Sequence, residues 1–167
     1  MNKVKAATSD ATRQLRRNEK KWSKPLMDAG WTAIPSVILE RQHALGLDAV
    51  DVNIILHLAK HWWYSDNLPH PGKKNIARCM EIDVSTVRRR IAKLEAVGFI
   101  KRVPRHSAED GRQETNAYSF DGLIEKATPF AEELLEERRR QQKEKAARQM
   151  RKKPRLTIVG GTDAGDE

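Results

Sequence analysis

The segment from Asp83 to Gly98 constrains this chain more than any other. Asp83 is a good N-cap, because its carboxylate can accept from backbone N–H groups that a first helical turn leaves free. Val87, Ile91 and Leu94 follow at spacings of four and three, which places them on one helical face, and Gly98 ends the run. Two short extended runs come next, Phe99 to Val103 and Thr115 to Phe120. The loop between them carries Asp110-Gly111, a hairpin turn signal.

The preceding residues read as three more helices. Pro35-Ser36 opens one through Val37, Ile38, Leu39 and Leu45, with the proline in its first turn and Gly46 at its end. Asp48 caps a second, expected to run to about Trp63. Its apolar residues, from Val50 to Trp63, cover most of the circumference and leave only Asn53, His57, Lys60 and His61 as a polar stripe. A helix apolar on so many sides belongs at the centre of a core. Two prolines between Ser65 and Gly72 end it. A third helix is expected over Lys73 to Met80, facing inward through Ile76, Ala77 and Met80. The fold class is therefore mainly α with a small β-hairpin.

The flanks carry the charge. Residues 1–30 hold eight basic and three acidic groups, residues 31–129 hold fourteen and twelve, residues 130–155 hold ten and five, and residues 156–167 hold three acids and no base. Taken alone, this pattern fits basic arms for a polyanion and solvated tails equally well. A frayed end passing into a short helix is expected before Gly30. After the hairpin, Asp121 caps a helical stretch that Thr128-Pro129 is expected to restart. Glu136–Arg140 and Glu144–Arg148 are expected i,i+4 pairs on it. The expected parts are a basic arm (1–30), a central domain (31–125), a charged C-terminal helix (126–155) and a flexible tail (156–167).

The stretch IARCMEIDVSTVRRRIAKLEAVGFIKR, residues 76–102, resembles the helix-turn-helix segment of bacterial winged-helix proteins. More narrowly, residues 31–125 resemble the domains of mobile-element regulators and plasmid replication initiators. Ile76-Ala77 and Met80 match the buried first-helix positions, Ile82 the apolar turn position, and Asp83 the cap. Ser85-Thr86-Val87 matches the start of the recognition helix, and Leu94, Gly98 and Ile100 the residues that follow. Glu81 stands where such proteins usually have a turn glycine, and a positive φ there would strain it. The resemblance implies a winged helix-turn-helix with N- and C-terminal helical extensions.

It also implies where DNA would be read. With Val87, Ile91 and Leu94 inward, Ser85, Arg89, Ala92 and Ala96 face outward, flanked by Thr86, Arg88 and Lys93. Small residues let a helix seat deep in a major groove. Arginine can pair bidentately with guanine, and Ser or Thr can reach bases or phosphate. The expected DNA-binding residues are Ser85, Thr86, Arg88, Arg89 and Lys93, with Arg105 and Arg112 on the wing. Glu109, Asp110 and Glu114 share the wing loop and oppose its cations.

Other chemistry finds little support. His57 and His61 are four apart, but Leu58 stands where the zinc-protease pattern needs Glu, and no third ligand is near. Trp62-Trp63 is expected in the core rather than stacking on bases, and Cys79 is expected to pack in the third helix. There is no phosphate-cradling glycine loop and no nucleophile motif. No catalytic residue, cofactor or metal is expected, and the chain is expected not to be an enzyme. A lone cysteine, no secretory signal and no apolar span point to a cytoplasmic protein away from the membrane. The leading expectation is a double-stranded DNA-binding transcriptional regulator. A replication initiation protein and a winged-helix protein-interaction module are the alternatives. A homodimer would need Phe130, Leu134 and Leu135 at its interface.

Overall fold

The computed structural model describes residues 2–151, with side chains described from 12 to 150. The element order is α1 (Asn2–Trp22), α2 (Lys24–Asp28), α3 (Ser36–Glu40), α4 (Ala49–Ala59), α5 (Lys73–Met80), α6 (Val84–Ala96), β1 (Lys101–Val103), β2 (Ala117–Ser119) and α7 (Asp121–Arg151). By its internal packing the chain divides into two units, Met1–Thr128 and Pro129–Glu167. The first holds a winged helix-turn-helix: α4, α5 and α6 packed together, followed by a two-stranded antiparallel wing.

Helix α4 is central, as its apolar surface requires. Ile54, Ile55 and Leu58 are closed to solvent, as are Ile76 of α5 and Val87, Ile91 and Leu94 of α6, and α6 packs against both α4 and α5. Each such side chain contributes about 1.5–3 kcal/mol relative to exposure. Asp48 caps α4 through its carboxylate, which accepts from the Val50 and Asp51 amides at 2.9 Å, while the Asp51 carboxylate accepts back from the Asp48 amide at 3.2 Å. This reciprocal capping box satisfies donors at the helix start. The helix ends at Ala59, four residues short of the expectation. Trp62 still reaches the core side, stacked on Phe120 with ring centroids 5.4 Å apart. Trp63 does not, being 62% exposed, so the closing contact is made by one tryptophan of the pair.

Several local expectations are corrected. The N-terminal segment is not a frayed end with a short helix; α1 runs 21 residues on good helix formers, and Ser23 at φ 76 separates it from α2. Pro35 is the N-cap of α3 rather than its first helical residue, and Arg41 to Gly46 form turns, not helix. Cys79 is exposed, because the inward face of α5 is filled by Ile76 and Ala77 and Met80 is only half-buried.

The strands are shorter than the extended runs. Lys101 pairs with Ser119 and Val103 with Ala117, while Phe99 and Ile100 are buried in the approach to the wing. The first turn of α7 returns to that approach, with the Leu123 amide donating to the Phe99 carbonyl at 2.9 Å. Thr128-Pro129 does not restart α7, which passes through Pro129 as one helix. The Thr128 hydroxyl donates to the Ile124 carbonyl at 2.7 Å, giving that turn a side-chain bond. On the same helix Arg140 pairs with Glu137 instead of Glu136, and Arg148 lies 4.0 Å from Glu144. The tail expected at 156–167 lies outside the described residues.

Candidate nucleic-acid interface

The turn between α5 and α6 is built on a strained residue. Glu81, the C-cap of α5, sits in the left-handed region at φ 52, ψ 41. The Ile82 amide then bonds back to the Ala77 carbonyl at 3.1 Å, turning the chain. Asp83 starts α6, accepting from the Ser85 amide at 2.6 Å. Hydrogen bonding from Ser85, by side chain and then amide, holds the Asp83 carboxyl below its ordinary range. The departure seen in the sequence at Glu81 is therefore real: a left-handed turn is made without glycine.

Helix α6 divides its residues by face. Val87, Ile91 and Leu94 are buried, and Ser85, Arg89, Ala92 and Ala96 are all exposed on the opposite side. Arg88 is exposed beside them and Thr86 is half-buried. Among the described residues nothing occludes Ser85 or Arg89.

The four cations of α6 divide in the same way. Arg90 and Lys93 turn back toward α4. Lys93 Nζ lies 2.6 Å from Asp51, whose side chain is closed to solvent, and Arg90 lies 3.4 Å from the same carboxylate and also pairs with Asp48. Arginine hydrogen bonds and the amides at the helix start hold the Asp48 carboxyl below its ordinary range, the Asp51 amide first among them. The Asp48–Asp51 capping box and the Arg90–Lys93 pair thus fix the rotation of α6 about its axis. Arg88 and Arg89 make no ion pair among the described residues, so their guanidinium donors remain available outward.

Wing cations are partly committed. Arg102 pairs with Glu95, tying β1 to α6. Arg105, half-buried, lies 2.8 Å from Glu114, and Arg112, 85% exposed, lies 3.0 Å from Asp110. At the tip Gly111 adopts φ 66 and its amide donates to the Ser107 carbonyl at 3.0 Å. Two of the three opposing acids noted in the loop, Asp110 and Glu114, are these partners.

Sequence reasoning missed Asp51 and the paired lysines Lys73 and Lys74 at the start of α5. Asp51 reads as one polar residue on an apolar helix, and its partners lie about forty residues away. The lysines do carry a local signal, since basic residues at a helix start oppose the helix dipole. His57 and His61 have their imidazoles held below the ordinary value of 6.5, by burial first and then by repulsion from Lys60. Among the described residues no cluster of three or more His, Cys, Asp or Glu could hold a metal ion, and no helix is long and apolar enough to cross a membrane.

Residues 34–145 match the family model of the DnaD N-terminal domain. Two solved structures are similar. The transcriptional regulator PA3341 is 20% identical over 80% of each chain, with a TM-score of 0.36. The disulfide-formed state of AbfR is 17% identical over 88% of this chain and 99% of that one, with a TM-score of 0.34. No curated protein matches the chain.

Proposed function

The chain belongs to the DnaD N-terminal domain family, and from that premise we propose that it is a sequence-specific double-stranded DNA-binding protein that regulates transcription. The observation that carries this reading is the outward face of α6, where Ser85, Arg88 and Arg89 stand exposed while Arg90 and Lys93 are spent on Asp51 and Asp48. A rigid helix with two free arginines and small neighbours can enter a major groove and pair with guanine edges. Ser85 and Thr86 flank that contact. Lys93 is 42% exposed and meets phosphate only while also neutralising Asp51. Arg105 and Arg112 are assigned to phosphate contacts of the wing, where each must compete with its carboxylate partner.

The protein works by binding, in the cytoplasm, and belongs with regulators of mobile elements. Phe130 and Leu134, half-buried, and Leu135, 50% exposed, are apolar positions on α7 that fit a second copy of the chain. Selection of bound genomic fragments followed by footprinting tests the reading. A palindrome overlapping a promoter is the expected footprint, and direct repeats would assign the protein to replication initiation instead. Affinity should fall with salt at a log–log slope of about −0.9 per phosphate contact. Absence of any salt dependence would overturn DNA binding and favour a protein-interaction module.

A further inference from the structure

Between α5, α6 and the wing lies a cleft of about 360 Å³ whose charged lining is mostly basic. Lys73 and Lys74 enter it from the first turn of α5 and Arg88 from α6. The Lys73 ammonium is pushed below its ordinary value, by burial first and then by repulsion from Arg102 and Arg88, against a weaker pull from Glu95. The nearby acids are already paired, Glu95 with Arg102 and Glu114 with Arg105. Lys73, Lys74 and Arg88 make no ion pair among the described residues. Cations gathered in one cleft raise one another's energy, and a bound anion relieves it.

The backbone favours the same occupant. Helices usually begin with acids, which complement the partial positive charge there. Helix α5 has no acid in its first turn, and its N-cap, Gly72, makes no side-chain cap bond. The Lys73 and Lys74 amides therefore keep their donors free among the described residues, while that of Asn75 donates to the Gly72 carbonyl at 2.9 Å. The wing closes on this point without filling it: a Cβ on Gly72 would lie 3.8 Å from Thr115 Cγ2.

We propose that this cleft, lined by Gly72, Lys73, Lys74, Arg88, Thr115 and Asn116, binds a phosphate group, and that in the DNA complex the group is a backbone phosphate of the duplex. The source of the phosphate rests on the DNA-binding reading above; the site itself does not. Arg88 belongs both to the cleft and to the outward side of α6, which fits a strand running past the reading helix and held beside the wing.

The test uses the full-length protein and the double variant Lys73→Gln, Lys74→Gln. Neither lysine is in an ion pair among the described residues, so the variant should fold. One arm measures duplex affinity against salt; the other titrates inorganic phosphate and follows backbone amide NMR shifts. The expected result is a salt slope smaller by about one in the variant, with phosphate-induced shifts at Gly72, Lys73 and Lys74 in the parent that the variant loses. Loss of the phosphate shifts with an unchanged slope keeps the site and overturns the duplex as its source. An unchanged slope without phosphate shifts in the parent overturns the proposal. If the parent binds no duplex at any salt, the DNA reading fails, and the phosphate arm still decides the cleft.

Discussion

The Asp51 carboxylate of α4 lies 2.6 Å from the Lys93 ammonium of α6, and the Asp51 side chain has no exposure to solvent. A buried carboxylate must be paired and hydrogen-bonded to persist as an anion. Here it is held by Lys93, by Arg90 and by its own capping box with Asp48. Asp51→Asn should therefore destabilise the protein by about 2–3 kcal/mol. That lies below the 3–5 kcal/mol typical of breaking a fully buried pair, because Lys93 is partly solvated. Urea unfolding measures it, and a loss below about 1 kcal/mol would show the pair to be worth no more than a surface one.

Arg89→Ala is expected to separate binding from folding. Arg89 is exposed and unpaired among the described residues, so stability should change by less than about 0.5 kcal/mol. Affinity for the selected site should fall by about 1–3 kcal/mol if the guanidinium reads a base, and discrimination at that base should relax. Arg90→Ala should do the reverse, costing stability first. Fluorescence anisotropy paired with unfolding curves checks both. Equal effects of the two variants on affinity alone would contradict the division of faces on α6.

How much of this was legible in the sequence depends on distance along the chain. The cap at Asp83, the spacing of Val87, Ile91 and Leu94, and the stop at Gly98 are local signals, and α6 is found where they put it. The wing was legible for the same reason, from Asp110-Gly111 between two apolar runs, though its ladder is only three residues on each side. The exposed positions Ser85, Arg88 and Arg89 followed from helix period alone. What the sequence hid was the fate of Arg90 and Lys93, because their partner on α4 is set by tertiary packing. Pro129 misled in another way: the proline rule describes a missing donor and a clash, and this helix continues through both, with the Thr128 hydroxyl bonded to Ile124 one turn back. Helix α1 was expected only as a short helix behind a frayed end, because the segment has few large apolar residues, although most of its residues favour helix intrinsically.

Glu81→Gly should stabilise the protein. A non-glycine residue at φ 52 costs about 1–2 kcal/mol of local strain, and glycine removes it while adding unfolded-state freedom worth about 0.4–1 kcal/mol against folding. A net gain between about 0 and 1.6 kcal/mol is expected, read as a higher urea midpoint at unchanged m-value. Removing the carboxylate also takes a like charge from the negative end of α5. A lower midpoint would mean that Glu81 makes a compensating interaction.

Gly122→Ala should be poorly tolerated although Gly122 has no special backbone angle. A Cβ there would lie 1.9 Å from the Gly98 carbonyl oxygen and 3.0 Å from its carbon. Both belong to backbone at the end of α6, so the clash cannot be relieved by a side-chain rotation. The Leu123 amide bond to Phe99 would have to lengthen as α7 moves away. A loss at the upper end of the 1–3 kcal/mol range for overpacking is expected. Thermal or urea unfolding of the variant, beside Gly111→Ala at the open wing tip, measures it. If both substitutions cost the same, the cause is backbone freedom and not the close approach.

Stability should fall on acidification in two separate windows. His57 and His61 are held below their ordinary value of 6.5, so below about that pH the unfolded chain takes up protons that the folded chain refuses. By linkage the folded state loses stability as pH drops from 6.5 through the depressed folded values, and the loss then levels off. Asp48 and Asp83 act later. Their carboxyls are depressed below 3.8 by the cap bonds at the starts of α4 and α6, so their contribution is present above 3.8 and disappears as pH falls through the folded values. His57→Gln with His61→Gln should flatten the first window only, and Asp83→Asn should reduce the second. Urea midpoints measured from pH 8 down to about pH 2 resolve the two. A first window that survives the double histidine substitution would place its origin in other groups.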